Sequence, residues 1–193
     1  MHIMTSVSTS NIGSDEVIAF WLESGPNKWF AHDEAFDAQI RTRFEALHFS
    51  ASRGEHADWA QTPMGALALL ILVDQFPRNM WRGSAHAYAT DPLARAVAEA
   101  AVDQGLDQAV EPALRPFFYL PFEHSERLQD QDRAVKLCEA LCDAAGDADT
   151  LRWAKVHRDI VARFGRFPHR NAAMGRKTTA EEQEFLDEGG FAG

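Results

Sequence analysis

Thr62-Pro63-Met64-Gly65-Ala66-Leu67-Ala68-Leu69-Leu70-Ile71-Leu72-Val73-Asp74-Gln75-Phe76-Pro77 decides the fold. Threonine followed by proline pairs an N-cap side chain with a first helical residue that has no N–H to lose. From Pro63 to Phe76 no turn residue interrupts the run, and its leucine and alanine content favours helix over strand at this length. The run is apolar on every side, so this helix belongs at the centre of a bundle. The uninterrupted apolar part, Met64 to Val73, is too short to span a bilayer. Pro77 is expected to end the helix by biasing Phe76 out of the helical region.

Helical signals continue on both sides of this segment. Asp15 is read as the cap of a helix carrying Val17, Ile18, Phe20, Trp21 and Leu22, stopped by Gly25-Pro26-Asn27. A second helix starts near Asp33, with Phe36, Ile40, Phe44 and Leu47 on one face and Asp37 and Arg41 as an i,i+4 pair. Downstream, Thr90-Asp91-Pro92 opens a helix that Gly105 closes. Pro112, Pro116 and Pro121 are expected to cut the segment around Phe117-Phe118-Tyr119-Leu120 into short pieces, an aromatic plug over the bundle. Ser125 is read as the cap of a long helix ending near Gly146, and Asp149 or Thr150 as the cap of the next, which ends at Gly165. Thr178-Thr179 before Glu181-Glu182 is a doubled capping-box signature. No stretch combines two-residue alternation with β-branched residues. The expected class is therefore all-α: a bundle of about seven to eight mostly antiparallel helices.

With 193 residues, 46% hydrophobic and 25% charged, the chain has the composition of one globular domain with a sizeable core. Residues 1–14 read as a flexible tail and 15–193 as the domain. A net charge of −10 argues against nucleic acid or an anionic membrane as partner, since both need a cationic footprint. The two cysteines, Cys138 and Cys142, lie four apart on a helix and give no disulfide framework, which points to reduced core residues and a cytoplasmic protein. Charge is unevenly spread, however. No carboxylate occurs between Asp159 and Glu181, while Arg163, Arg166, His169, Arg170, Arg176 and Lys177 all do.

Within this basic island lies Phe164-Gly165-Arg166-Phe167-Pro168-His169-Arg170-Asn171, an echo of Asp74-Gln75-Phe76-Pro77-Arg78-Asn79. Both copies end an apolar segment with Phe-Pro and place Arg-Asn after it. Together with Trp29-Phe30, Asp33, Phe36 and Asp37, with Leu67-Ala68-Leu69, and with Phe117-Phe118-Tyr119-Leu120-Pro121-Phe122-Glu123-His124-Ser125-Glu126, they resemble a bacterial family known as domain of unknown function nine-two-four. The resemblance runs from about Val17 to Phe191. Valine at position 73, where the family leads one to expect leucine, is nearly volume-neutral. The resemblance implies a tetratricopeptide-like all-α fold and no established activity, although the tetratricopeptide signature itself is missing, so any repeat is degenerate.

One reading of the corners is a polar pocket for a small carboxylate or phosphate. Its candidate residues are Asp74, Gln75, Arg78, Asn79, Glu123, His124, Glu126, Arg166, His169, Arg170 and Asn171. Arginine offers planar fork donors, histidine and asparagine add directional hydrogen bonds, and the phenylalanines form an apolar wall. The bland reading is that each arginine satisfies the end of its own helix and pairs with Asp74, Glu123 or Glu126. A second class of function is a helical-repeat module whose groove takes an acidic peptide or partner protein. A third is an enzyme, with His124 as general base and Ser125 as nucleophile, or with His124, Glu126 and His169 as a metal triad. Against the third, Ser125 lacks a glycine-flanked elbow, and no Walker loop, dinucleotide fingerprint or His-Glu-x-x-His motif occurs, so no cofactor is expected.

Overall fold

The computed structural model describes residues 12–191, and among them the chain is all-α with no strand. The tail reading of residues 1–11 lies outside the described residues. Helix α1 (Ser14–Ser24) begins at Gly13, whose N–H donates to the Glu16 carboxylate at 2.9 Å, so Asp15 is not the cap. Gly25, at φ +76°, ends it, and one further turn, α2 (Pro26–Trp29), follows. Asp33 accepts the N–H groups of Ala35 and Phe36 to start α3 (Glu34–Ser52), which buries Phe36, Ile40, Phe44 and Leu47. Asp37 does not pair with Arg41. It receives Arg82 and Asn79, while Arg41 donates to Glu45.

Thr62 accepts Gly65 N–H and opens α4 (Pro63–Leu70), in which Ala66, Leu67, Ala68 and Leu70 are fully buried. Helix α1 packs against α4, as do α6 (Asp91–Asp103) and α7 (Pro116–Glu123). Its position is thus central, as an apolar circumference requires. Helices α8 (Leu128–Ala145) and α9 (Ala148–Phe164) form an antiparallel pair around Gly146, and α7 rests on both. The caps of this pair are shifted from the sequence reading. Ser125, three residues before α8 begins, donates to Asp130, and Asp147, not Asp149 or Thr150, caps α9. Gly165, left-handed at φ +69°, ends α9, and a capping box of Thr179 and Glu182 starts α10 (Ala180–Asp187). Phe167 lies in a satellite core with Ile160 and Val161, flanked by Phe185 and Phe191.

Pro77 does not end the central helix. Residues Ile71–Gln75 form a π-helical turn, in which Phe76 N–H reaches back five residues to Ile71 O, and the chain runs on as α5 (Phe76–Met80). The wider turn makes room for the proline ring and releases carbonyls that an α-helix would occupy. Side chains take them up: Leu72 O accepts His48 Nδ1 at 3.0 Å, Val73 O accepts Thr90 Oγ1 at 2.5 Å, and Asp74 O accepts Arg78 Nη1 at 2.7 Å. Thr90 is therefore spent on the π turn and does not cap α6. Pro121 is likewise carried inside a continuous α7, which buries Phe117, Phe118, Tyr119 and Phe122 where shorter pieces were expected.

Eight helices among the described residues have eight or more residues. The all-α class stands, and among the described residues the sequence α4, π turn, α5 occurs once. No described helix is long and apolar enough to cross a membrane.

Candidate functional site

The π turn sets Asp74 at the bottom of a polar cluster, 1% exposed. Its Oδ2 accepts Gln75 Nε2 at 2.6 Å, its Oδ1 lies 3.2 Å from Arg78 Nη1, and both oxygens lie 2.9 and 3.0 Å from Nδ1 of His124 at the end of α7. Arg78, one turn along, also donates through both Nη atoms to Asp91 at 2.9 and 3.0 Å. Asp91 is the first residue of α6, where the helix dipole favours a carboxylate.

Arg170 arrives from beyond α9, in the short 3-10 turn Pro168–Arg170. Its guanidinium sits 4.4 Å from the ring centre of Phe167 and 4.7 Å from that of Tyr88. It donates to His124 O at 2.9 Å, closing the C-terminus of α7, and stands 3.5 Å from Asp91 Oδ2. Its Nε is buried with no partner, and so is Nδ1 of the neighbouring His169, which packs against Phe167 and Phe191. Through Arg78, Asp91 and His124, with side chains 19%, 17% and 13% exposed, the cluster reaches solvent, while Arg170 keeps only 6%.

Protonation follows from this packing. Burial opposes charge on Asp74, but Arg78 and His124 hold its carboxyl well below the usual range. Burial and the Arg78 charge push His124 down to about 4. Burial and Arg170 push His169 down to about 3. Arg78 gains two carboxylates, which outweigh its burial and raise its pKa. Arg170 does not, and burial together with the Arg78 charge lowers it to about 10. Shifts of this kind gathered in one place mark a functional-site candidate.

Of the eleven residues expected to form the site, Asp74, Gln75, Arg78, His124 and Arg170 come together in one network. Glu123 is adjacent but turns to His157 Nδ1 at 3.2 Å and to Cys138 Sγ at 3.7 Å. His169 lines the aromatic side. The other four are engaged elsewhere. Asn79 donates to Asp37 at 2.8 Å, and Glu126 takes Arg176 at 2.6 Å and Phe167 N–H at 2.9 Å. Arg166 forms a bidentate pair with Glu182 at 2.6 and 2.8 Å, and Asn171 donates to the same carboxylate at 3.2 Å. The basic island is thus balanced largely by acids distant in sequence. Glu126 cannot join His124 and His169 in a triad while it holds Arg176, and Ser125 Oγ is directed to Asp130. Among the described residues no three His, Cys, Asp or Glu side chains converge as a metal-binding group.

Two residues at the centre escaped the sequence reading. Asp91 looked like a helix-opening residue only, and Tyr88, in a short turn after Ser84, carried no signal. Two shallow surface hollows, one along α10 at Ala180, Glu181 and Glu184 and one on α3 at Ala38 and Thr42, do not border the cluster.

Fold and cluster together define an all-α protein whose buried ionic network is assembled at a π-helical turn in its central helix. The chain belongs to the family described as bacterial protein of unknown function (DUF924), whose profile matches residues 17–190. It is similar to a solved structure, a protein of unknown function, ATU0120, from Agrobacterium tumefaciens. The two are 49% identical with a TM-score of 0.86, over 91% of this chain and 97% of that one. No curated protein matches the chain.

Proposed function

We propose that the chain binds a small anionic ligand, a carboxylate or a phosphate monoester, at Arg170. The observation that carries this reading is the uneven sharing of acids in the cluster. Asp74 and Asp91 both serve Arg78 at 2.9–3.2 Å, whereas Arg170 has no carboxylate of its own, only the flank of Asp91 at 3.5 Å, and leaves its Nε without a partner. A guanidinium taken out of water costs several kcal/mol and calls for a paired anion. Phe167 and Tyr88 flank the guanidinium with apolar surface, which leaves its N–H groups as the sites where a ligand oxygen binds, and a planar fork of donors suits carboxylate and phosphate. The overall charge of −10 gives no long-range attraction for anions, so affinity has to come from this local imbalance.

Thermal unfolding at fixed ionic strength, with a panel of carboxylates and phosphate monoesters, tests this on the wild type and on Arg170→Met. A ligand at a hundredfold excess over its Kd stabilises the wild type by about 2.7 kcal/mol, and the variant loses that gain. A panel that leaves the wild type unmoved, or moves both proteins equally, removes the reading.

A further inference from the structure

We infer that the ligand of this site carries a hydroxyl close to its anionic group, and that His124 Nε2 accepts the hydrogen bond from that hydroxyl. This rests on the anion reading and adds the chemical class: a hydroxycarboxylate or a hydroxyl-bearing phosphate monoester. The tautomer is decided by geometry. A carboxylate only accepts, and both Asp74 oxygens lie within 3.0 Å of His124 Nδ1, so the ring proton is on Nδ1 and Nε2 presents a lone pair. That Nε2 has no partner among the described residues, and the His124 side chain is 13% exposed, whereas His169 Nδ1 is buried. Burial beside Arg78 keeps the imidazole neutral at ordinary pH, so Nε2 accepts and does not donate.

The acceptor and the cation are fixed to one another. Arg170 Nη1 is bonded to the carbonyl of His124 itself at 2.9 Å, so a small ligand seated on the guanidinium lies beside the same residue's ring. Neighbours do not compete for Nε2. Ser125 is held by Asp130, Gln131 by the carbonyls of Glu123 and Ser125, and His157 stands edge-on with its ring centre 6.4 Å away. Asp74 thereby acts as a positioning residue, turning the ring so that its one free acceptor is left for the ligand.

Titration calorimetry with two probe pairs that differ by hydroxyl groups tests the inference: lactate against propionate, and glycerol 3-phosphate against propyl phosphate. The hydroxylated member is expected to bind about tenfold more tightly, the worth of one hydrogen bond to an acceptor that would otherwise be left dry. The pair that binds separates a carboxylate ligand from a phosphate ligand. In His124→Asn the amide nitrogen can still donate to Asp74 while the Nε2 acceptor is gone, and the ratio of affinities within each pair is expected to fall to about one. Independently of that variant's stability, the His124 Nε2 resonance of the wild type is expected to move with the hydroxylated probe and not with its partner. Equal affinities within each pair, or a preference that survives in His124→Asn, overturn the hydroxyl inference and leave the anion site standing. Absence of binding by all four probes overturns both.

Discussion

At Phe76-Pro77-Arg78-Asn79 the chain stays helical and its arginine meets two carboxylates, whereas at Phe167-Pro168-His169-Arg170-Asn171 it has already left α9 and its arginine shares the flank of one. The strings are nearly the same, so the difference lies in what precedes them. Before the first, the π turn carries the axis across the proline and keeps Asp74 one turn from Arg78. Before the second, Gly165 turns left-handed and releases the chain, so the cation faces α6 and α7 without an acid from its own segment. The lesson is that the first corner is charge-balanced scaffold and the second corner holds the unbalanced group. On the proposed reading, a ligand is called for at the second only.

Removing each arginine in turn is the strongest way to break this contrast. Arg78→Met strands Asp74 and Asp91 together, both acids at most 17% exposed, and is expected to cost about 3–5 kcal/mol, as when one partner of a buried ion pair is lost. Arg170→Met leaves Asp91 with its bidentate partner and removes a desolvated charge. Against the lost contacts to His124 O, Phe167 and Tyr88, the net cost is expected to be about 1 kcal/mol or less. Urea unfolding of the two variants measures the difference, and equal losses would mean that both arginines are scaffold.

The same contrast explains what could be read in advance. Helix α4 was legible because its evidence is local: a cap, a proline at the first helical position and an uninterrupted apolar run. Asp33, Gly146 and Gly165 were legible for the same reason. Passage through Pro77 was not, because the donors that make it tolerable, Thr90 and His48, come from 17 and 24 residues away. The echo of the two corners pointed to Asp74, Arg78 and Arg170, and the Glu123-His124-Ser125-Glu126 stretch at the end of α7 pointed to His124. That Asp74 orients His124 across 50 residues, and that Asp91 lies between the arginines, depends on packing alone. Arg166 and Asn171 illustrate the limit. They belong to the same string as Arg170 but serve Glu182, the acid of the α10 capping box.

Acidity sharpens the comparison next. His124 and His169 have folded pKa values of about 4 and about 3, below the ordinary 6.5, so the unfolded chain takes up protons first as the pH falls. Their neutral burial therefore gives full stability above pH 6.5, and that stability is lost progressively towards pH 4. At pH 5 the loss from His124 alone is about 2 kcal/mol, roughly 1.5 pH intervals at 1.36 kcal/mol each. The acid of the first corner, Asp74, has a lowered pKa, and its contribution stays in place until the pH drops below about 4. Between pH 7 and pH 5 the fall belongs to the histidines, with His48, also lowered by burial, adding in the same sense. Urea midpoints at the two pH values are expected to differ in the wild type and to differ less in His124→Asn. An unchanged slope in that variant would detach His124 from the cluster.

A smaller effect separates the corners at the level of the backbone. Thr90→Val keeps shape but removes the hydroxyl that Val73 O accepts, and Pro77 has no N–H to replace it. A buried carbonyl left bare is expected to cost about 1–2 kcal/mol, read from the thermal midpoint. At the second corner Val161 O is already satisfied by Gly165 N–H at 2.8 Å, a backbone bond that no side-chain change removes. Thr178, which touches Asn171 Nδ2 only at 3.4 Å, is the nearest counterpart, and Thr178→Val is expected to cost under about 0.5 kcal/mol because Glu182 still accepts from that amide. If Thr178→Val proved as costly as Thr90→Val, the second corner would depend on side-chain capping as the first does, and its arginine would be better understood as part of that scaffold than as the seat of a ligand.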